Sequence, residues 1–556
     1  MSETMTGKRA ILEMLKAEGV DYIFGNPGTS EAPLIDMLGD YPELRYILTL
    51  QESVAIGMGE AYARSTGRAS FISLHVDNGL ANGINLMLDA YRTGTPMVIT
   101  SANYDARKIA EGLTDLAELV RPVTKWAVEL TLPDQIPSTL RRAFNEANSH
   151  PKGPVYVGFT SNALEGSAEM NIFPSAKIHD AYRPDLNAID EAVSLLLESR
   201  SPLMLVGDRV SDDGAVDQAV ELAELLALPV WQSRGSEVAF PTTHPQFFGT
   251  HSLRVAAHRE LLQGIDLVLA VGMDAFNELF YWGDVILSPS TKLIHIDPIP
   301  GRVGQSEPTD VGIVSHCGMA LTELIQVSHS RLSSETIQAL QTRREEVKQD
   351  AVQHRKSFEK SVAEKWDNTP MTPARMMSEL ANALPSNAMV VDESISHRAA
   401  MRHYIQGTTR GDIVGVRGGA IGGGIGATMG VQCANPDRPV FGVIGDGSAM
   451  MSIQGLWTAA NDKIPCIFVI CNNGMYRVLK TNFNIYQKDV LKEDEPAGSN
   501  LLYSEFPLPH DIAATATSMG VHGERIEDPN EIGPAIDRAV ASGKPALLDI
   551  IIDGSL

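Results

Sequence analysis

GDGSAMMSIQGLWTAANDKIPCIFVICNN runs from Gly445 to Asn473, and its reading decides the fold. One apolar run, RPVFGVIGDGS, leads into it, and another, CIFVICNN, closes it. Gly445 and Gly447 permit a tight or left-handed backbone around Asp446. Ser448 is a good helix N-cap. Ile453, Leu456, Trp457 and Ala460 then recur at helical spacing until Pro465 stops the pattern. Strand, helix and strand within about 30 residues make a crossover unit, and a right-handed parallel crossover returns both strand ends to one edge of the sheet. Asp446 and Asn473 are therefore expected to meet. A carboxylate and an amide oxygen form a hard donor set suited to Mg²⁺, which keeps part of its shell for phosphate oxygens. A helix N-terminus at Ser448 favours the same anion.

Working outward, the same alternation fills the chain. In residues 1–175, Ile11, Leu12, Leu15 and Val20 suit one helix face, and VDYIFGNPG, RYILTLQE, ASFISLH and TPMVITSAN read as strands. In residues 183–328, PLMLVGD, LPVWQS, IDLVLAVGM and KLIHIDP are strands separated by helical stretches. Residues 329–369 are mostly SSETIQALQTRREEVKQDAVQHRKSFEKSVAEKW, a charged stretch without a continuous apolar face, which reads as a surface linker helix. In residues 370–556 the strands are AMVVDES, DIVGV, PVFGVIGDG, CIFVICNN and ALLDIIID. The expected fold is α/β, three doubly wound units with mostly parallel sheets, whose ligands sit beyond the carboxyl ends of the strands.

Composition narrows the function. The 556 residues are 44% hydrophobic and 21% charged, as expected of globular domains with large cores. A net charge of −24 argues against nucleic acid or an anionic membrane as partner, since both attract basic patches. Cys317, Cys433, Cys466 and Cys471 form no C-x-x-C pair and no disulfide framework, which fits a reducing cytoplasm. The N-terminal stretch is charged throughout and lacks the apolar core of a signal peptide.

GDG, 24 residues and NN resemble the diphosphate–magnesium motif of thiamine diphosphate enzymes. That resemblance implies Asp446, Asn473 and the backbone carbonyl of Met475 as Mg²⁺ ligands. YILTLQESVAIGMGEAYARSTGR is similar to the segment carrying the glutamate that hydrogen-bonds the cofactor's pyrimidine, here Glu52. GNPGTSE resembles most closely the benzoylformate decarboxylases, within the decarboxylase and acetolactate synthase superfamily. On its own it is a turn before a helix, with Thr29 or Ser30 as cap. By resemblance Asn26, Pro27 and Gly28 contact the cofactor, and Thr29 stands where a serine binds the substrate carboxylate. His75, followed by Gly79 and Asn82 in FISLHVDNGLANG, matches a proton-relay histidine. In VRGGAIGGGIGATMG, Ile421 matches the bulky residue that bends the cofactor, and Gly419 would lie against the pyrimidine. VVDESISHR, a capped turn at Ser394 or Ser396 by itself, places Ile395 and Ser396 at the diphosphate. Gly447, Ser448, Tyr476 and Val478 complete the expected cofactor contacts. FPTTHPQFFGT, LIHIDPIP and KGPVYVGF extend the resemblance over nearly the whole chain.

The resemblance implies thiamine diphosphate- and Mg²⁺-dependent, non-oxidative decarboxylation of a small 2-oxo acid to an aldehyde. The alternative is a carboligase or 2-hydroxyketone lyase acting on aldehydes or ketones, like acetolactate synthase. It also implies a homodimer at minimum, commonly a homotetramer, because the cofactor lies between one copy's first unit and another's third. No motif in the middle unit supports or excludes FAD. Two departures stand out. Leu279, in GMDAFNELFYWGD, takes the place of a second active-site histidine, for which His251 is a substitute to consider. MYRVLKTNFNIYQKDVLKEDEPAGSNLLYSEFPLPHD is long, polar and broken by Pro and Gly, and its irregular stretch over residues 482–510 suits either a disordered segment or a functional lid. Asn482, at a substrate-pocket position beside Val478, argues against a purely aromatic pocket.

Overall fold

A computed structural model describes residues 2–233, 237–493 and 501–555. Three six-stranded sheets organise the chain, and all their pairings are parallel. In spatial order the first sheet is Arg45–Leu48, Tyr22–Gly25, Ser70–His75, Met97–Asn103, Pro154–Thr160 and Trp126–Leu130. The third sheet is Ile413–Gly415, Met389–Glu393, Val440–Gly445, Ile467–Asn472, Ala546–Ile551 and His522–Ile526. Both follow the order 2-1-3-4-6-5 in their own strands. The middle sheet runs Phe247–Thr250, Val230–Gln232, Pro202–Val206, Leu267–Val271, Lys292–Asp297 and Val311–Val314, which is 3-2-1-4-5-6. A short antiparallel pair, Glu3–Thr6 with Ser167–Met170, closes the first unit.

The central strands are buried on both faces and read as unbroken apolar runs, as PVFGVIGDG and CIFVICNN do. Five sheet strands are not read from the sequence. Pro154–Thr160 is central and fully buried, while Trp126–Leu130, Phe247–Thr250, Val311–Val314 and His522–Ile526 lie at sheet edges, where one side needs no cover and polar residues are tolerated. Val311–Val314 alternates buried and exposed, and His522–Ile526 carries Glu524 and Arg525.

The crossover of the opening stretch is present, with Gly445 paired to Cys471 in register. Its helix is two helices, Asp446–Met451 and Gly455–Asn461, broken at Ser452. Gly445 is the N-cap rather than Ser448, which lies inside the first helix. The strand runs into the helix without a loop, so the cap falls on the last strand residue. Neither Thr29 nor Ser30 caps the helix Ala32–Met37, because Glu31 occupies the cap position. The linker helix Ser334–Ala363 buries only Leu340, Val347 and Ala351. Arg343 and Arg355 tie it to the middle unit through the carbonyls of Ser199, Leu226 and Thr242.

The first and third units meet where the helix Glu52–Thr66 crosses the helix Gly424–Ala434. Glycines make the crossing close. A Cβ at Gly426 would lie 2.7 Å from the Val54 carbonyl oxygen, and one at Gly430 would collide with that of Met58. Arg417 links the middle unit to this junction, bonding Asp212 at 3.2 Å, while Arg64 bonds Glu237 and the Gly415 carbonyl. No helix among the described residues is long and apolar enough to cross a membrane. Gly430→Ala should cost about 1–3 kcal/mol of stability through overpacking at the crossing. Chemical denaturation at neutral pH measures it, and an unchanged midpoint would show that the two helices separate freely.

Candidate active site

In both the first and third sheets the strand order reverses between the first and third strands, which opens a crevice beyond their carboxyl ends. In the first sheet this crevice is bordered by the loop after Gly25 and by His75. In the third it is bordered by Ser394–Ser396 and by Asp446.

Glu52 opens the helix Glu52–Thr66 and is 5% exposed, so it is a buried carboxylate at a helix N-terminus. Asn26 Nδ2 donates to its Oε1 at 2.9 Å and Asn82 Nδ2 donates to its Oε2 at 3.0 Å. Gly79 passes so close that a Cβ there would sit 3.0 Å from Glu52 Oε1. His75 ends its strand as N-cap of the helix Val76–Thr93. Its Nδ1 lies 2.8 Å from Glu31 Oε2, which also accepts the Gly28 N–H, while Glu31 Oε1 accepts the Ala102 N–H at 2.7 Å. A carboxylate facing Nδ1 holds the proton there and leaves Nε2 as the reactive nitrogen. A Cβ at Gly28 would overlap the imidazole ring. Ser30 Oγ sits 3.3 Å from His75 Nδ1, and Thr29 is exposed at the tip of the same loop beyond Pro27.

Glu31 was legible in GNPGTSE but not singled out. Its role depends on the strand ends of His75 and Ala102 converging on one loop, which no local pattern states.

In the third unit, Asp446 is buried, and burial pushes its carboxyl up to about 6. Its Oδ1 accepts the Gly447 N–H and its Oδ2 accepts the Gly474 N–H at 2.8 Å. That bond joins the two loop tips. Asn473 Oδ1 accepts the Met475 N–H, and its Nδ2 lies 2.9 Å from His397 Nε2. Buried His397 is held neutral, pushed down to about 3, and its Nδ1 has no partner among the described residues. Ile395 adopts φ +51, rare for a β-branched residue, and starts the turn Ile395–His397. The side chain of Ser394 does not cap this turn but bonds Asp392. Gly419 has φ +105 with open space where a Cβ would point, and Ile421 stands beside it, half-buried.

These residues fit a diphosphate and its cation. Asp446, Asn473 and the Met475 carbonyl supply hard oxygens on adjacent loops. The N-terminus of the helix Asp446–Met451, including Ser448, favours an anion. Tyr476 covers Gly447 and is itself braced edge-on by Phe506.

The segment after Asn473 is irregular only in part. Arg477–Ile485 is a helix continued by a π-turn, Tyr486–Val490, and residues 494–500 lie outside the described residues. Interdomain pairs hold the helix: Arg254 Nη1 to Asn482 Oδ1 at 3.2 Å and Arg259 to Asp489 at 2.6 Å. Residues 504–506 then return over it, Tyr476 N–H to the Ser504 carbonyl and Phe506 N–H to that of Gly474. Between this helix and the middle unit lies a cavity of about 840 Å³, lined by Thr250, Arg254, Ile395, Ser396, Val478 and Asn482 among others. Leu279 is 62% exposed, on a loop whose Phe280 stacks on Tyr486.

His251 does not line the cavity. It is buried against Trp231 and His258, which pushes its pKa down to about 4. It is therefore neutral near pH 7 and unsuited to relaying protons there. A histidine with a depressed folded pKa contributes stability above its unfolded value of 6.5, and loses it as pH falls toward 4. Between pH 7 and pH 5 that loss is about 2 kcal/mol for this one group. His251→Phe should remove about that much of the stability difference between the two pH values, measured by denaturant titration at each. An unaltered difference would rule out His251 as its source.

Family models match along the chain in order. Residues 5–120 match the N-terminal TPP binding domain of thiamine pyrophosphate enzymes, 189–324 the central domain and 395–550 the C-terminal TPP binding domain. The benzoylformate decarboxylase of Pseudomonas aeruginosa is 29% identical over 550 residues, covering 97% of this chain and 98% of that protein. A probable acetolactate synthase large subunit of Methanocaldococcus jannaschii is 27% identical, covering 99% and 92%. The solved structure of a thiamine diphosphate-dependent 4-hydroxybenzoylformate decarboxylase from Rhodococcus jostii superposes with a TM-score of 0.84 at 27% identity, covering 99% of both chains.

Proposed function

Because this chain belongs to the thiamine pyrophosphate enzymes, we propose that it decarboxylates a 2-oxo acid to an aldehyde with thiamine diphosphate held through Mg²⁺. The observation that carries the reading is Glu52, a buried carboxylate whose oxygens each meet one side-chain amide. When bound, the cofactor supplies the electron sink that lets CO₂ leave a 2-oxo acid. Glu52 hydrogen-bonds the cofactor's pyrimidine, with Asn26 and Asn82 fixing the carboxyl plane. Asp446, Asn473 and the Met475 carbonyl hold the Mg²⁺, which neutralises the diphosphate. Ile395, Ser396, Gly447 and Ser448 receive the diphosphate, and Tyr476 and Val478 flank it. Gly28 and Pro27 shape the loop over the pyrimidine, and Ile421 with Gly419 sets the cofactor's bend. His75, oriented by Glu31, moves a proton at Nε2, and Thr29 meets the substrate carboxylate. The cavity beside Val478 and Asn482 receives the substrate side chain, with a polar wall where Arg254 bonds Asn482.

Leu279, at the place of a second histidine, favours a second reading. Without a histidine at that position, attack on a second carbonyl competes with protonation of the product, which is a carboligase outcome. The assembly proposed is a homodimer at minimum and a homotetramer beyond it, which size-exclusion chromatography with light scattering would test. All four cysteines are free, which supports a cytoplasmic location.

Glu52→Gln should lower turnover of a responsive 2-oxo acid by about 10²–10⁴-fold, assayed as aldehyde release in thiamine diphosphate and Mg²⁺. Full turnover in that variant would sink the reading. A panel of 2-oxo acids with and without an acceptor aldehyde separates the outcomes. Aldehyde alone supports decarboxylation, and a hydroxyketone formed only with acceptor supports the second reading.

A further inference from the structure

We infer that Glu393 and Asp89 are positioning residues that set the place of Ile421 by clamping the glycine-rich loop on both sides of it. The inference rests on the cofactor reading above and adds what holds the bend-setting side chain still.

Between Arg417, held by Asp212, and the helix start at Gly424, the residues 418–423 form no strand or helix of their own. Gly418, Gly419 and Gly422 have φ of +83, +105 and +97, conformations with no strand or helix ladder to hold them. Ile421 projects from its middle, so its position is only as definite as its flanks. On one flank, Asp89 of the first unit accepts the Ala420 N–H, with Oδ2 at 3.1 Å. It presses so close to Gly418 that a Cβ there would collide with its carboxylate. On the other flank, Glu393 Oε1 accepts the N–H groups of Gly422 and Gly423 at 2.9 and 3.1 Å, and Oε2 accepts that of Gly424 at 2.9 Å. Glu393 is fully buried at the end of its strand, and both oxygens act only as acceptors. Three backbone donors on one buried carboxyl hold this flank of the loop in a single place. A carboxylate could cap the helix Gly424–Ala434 through its first N–H groups alone. Here it also takes Gly422, the residue next to Ile421, which a cap does not require.

Asp89 lies on the helix Val76–Thr93, which carries Asn82 to Glu52 near its other end. In the proposed dimer, one rigid element of the first unit therefore orients the pyrimidine-facing carboxyl of one cofactor site and grips the bend-setting loop of the other.

Mg²⁺-pyrophosphate probes the diphosphate half of the site alone, whereas thiamine diphosphate also needs its bend. The test compares their binding by isothermal titration calorimetry in wild type, Glu393→Gln, Asp89→Asn and, as reference, Ile421→Ala. Glutamine keeps one acceptor oxygen but turns an NH₂ toward the backbone donors. Glu393→Gln is expected to weaken thiamine diphosphate at least tenfold and Mg²⁺-pyrophosphate less than twofold, the same split as Ile421→Ala. Asp89→Asn should split the two in the same direction by a smaller factor. It keeps an acceptor oxygen for the Ala420 N–H but replaces the other with an NH₂, in a different unit, so it carries the test if Glu393→Gln does not fold. Equal weakening of both ligands, or of neither, in a folded variant would overturn the assignment while leaving the cofactor reading intact. Wild type that bound no thiamine diphosphate would instead sink the cofactor reading and this inference with it.

Discussion

The close crossing of the helices Glu52–Thr66 and Gly424–Ala434 is the contact on which the rest of the molecule depends. Two helices approach this closely only where one backbone meets another with no side chain between them. Gly57, Gly426 and Gly430 provide that, against the carbonyls of Gly423, Val54 and Met58. The helix from the first unit begins at Glu52, and the helix from the third follows directly on the loop bearing Ile421. A single packing contact therefore fixes the helix start at Glu52 relative to the loop that bears Ile421.

Around that contact, the first and third sheets share one strand order, and each places its site residues where the order reverses. Asn26, Glu31 and His75 border one such crevice, and Ile395, Ser396 and Asp446 border the other. Backbone amides at strand ends and helix starts are unpaired by construction, so a carboxylate or diphosphate there finds donors already aimed. The middle unit has the order of a dinucleotide-binding sheet yet no G-x-G-x-x-G spacing. Its contribution to the site is Arg254 and the wall of the cavity.

Buried carboxylates recur as the fixing device. Glu31 orients His75, Asp446 ties two loop tips through Gly474, Asp392 holds Arg398 and Arg402, and Glu393 takes three backbone donors. Each would be costly unpaired, since burial disfavours the charge unless hydrogen bonds or cations compensate it. Their partners are distributed over loops distant in sequence, so each carboxylate fixes the mutual placement of segments that local structure leaves free.

The amino-acid sequence by itself determined the fold class, the three-part division and the meeting of Asp446 with the loop after Asn472. Apolar runs, glycine turns and a crossover of fixed handedness are local or nearly local constraints. It did not reveal four of the edge strands, whose single buried face permits polar residues. Nor did it reveal the helix Arg477–Ile485, which interdomain ion pairs and hydrogen bonds support. It also left Ser448, Thr29, Ser30 and His251 open to roles that the structure withholds, because caps and proton carriers are chosen by neighbours in space. The partners of Glu52 and His75 and the two-sided hold on Ile421 were decided only by tertiary structure. Those contacts join residues tens to hundreds of positions apart, and no period or motif encodes a distance that only packing can close.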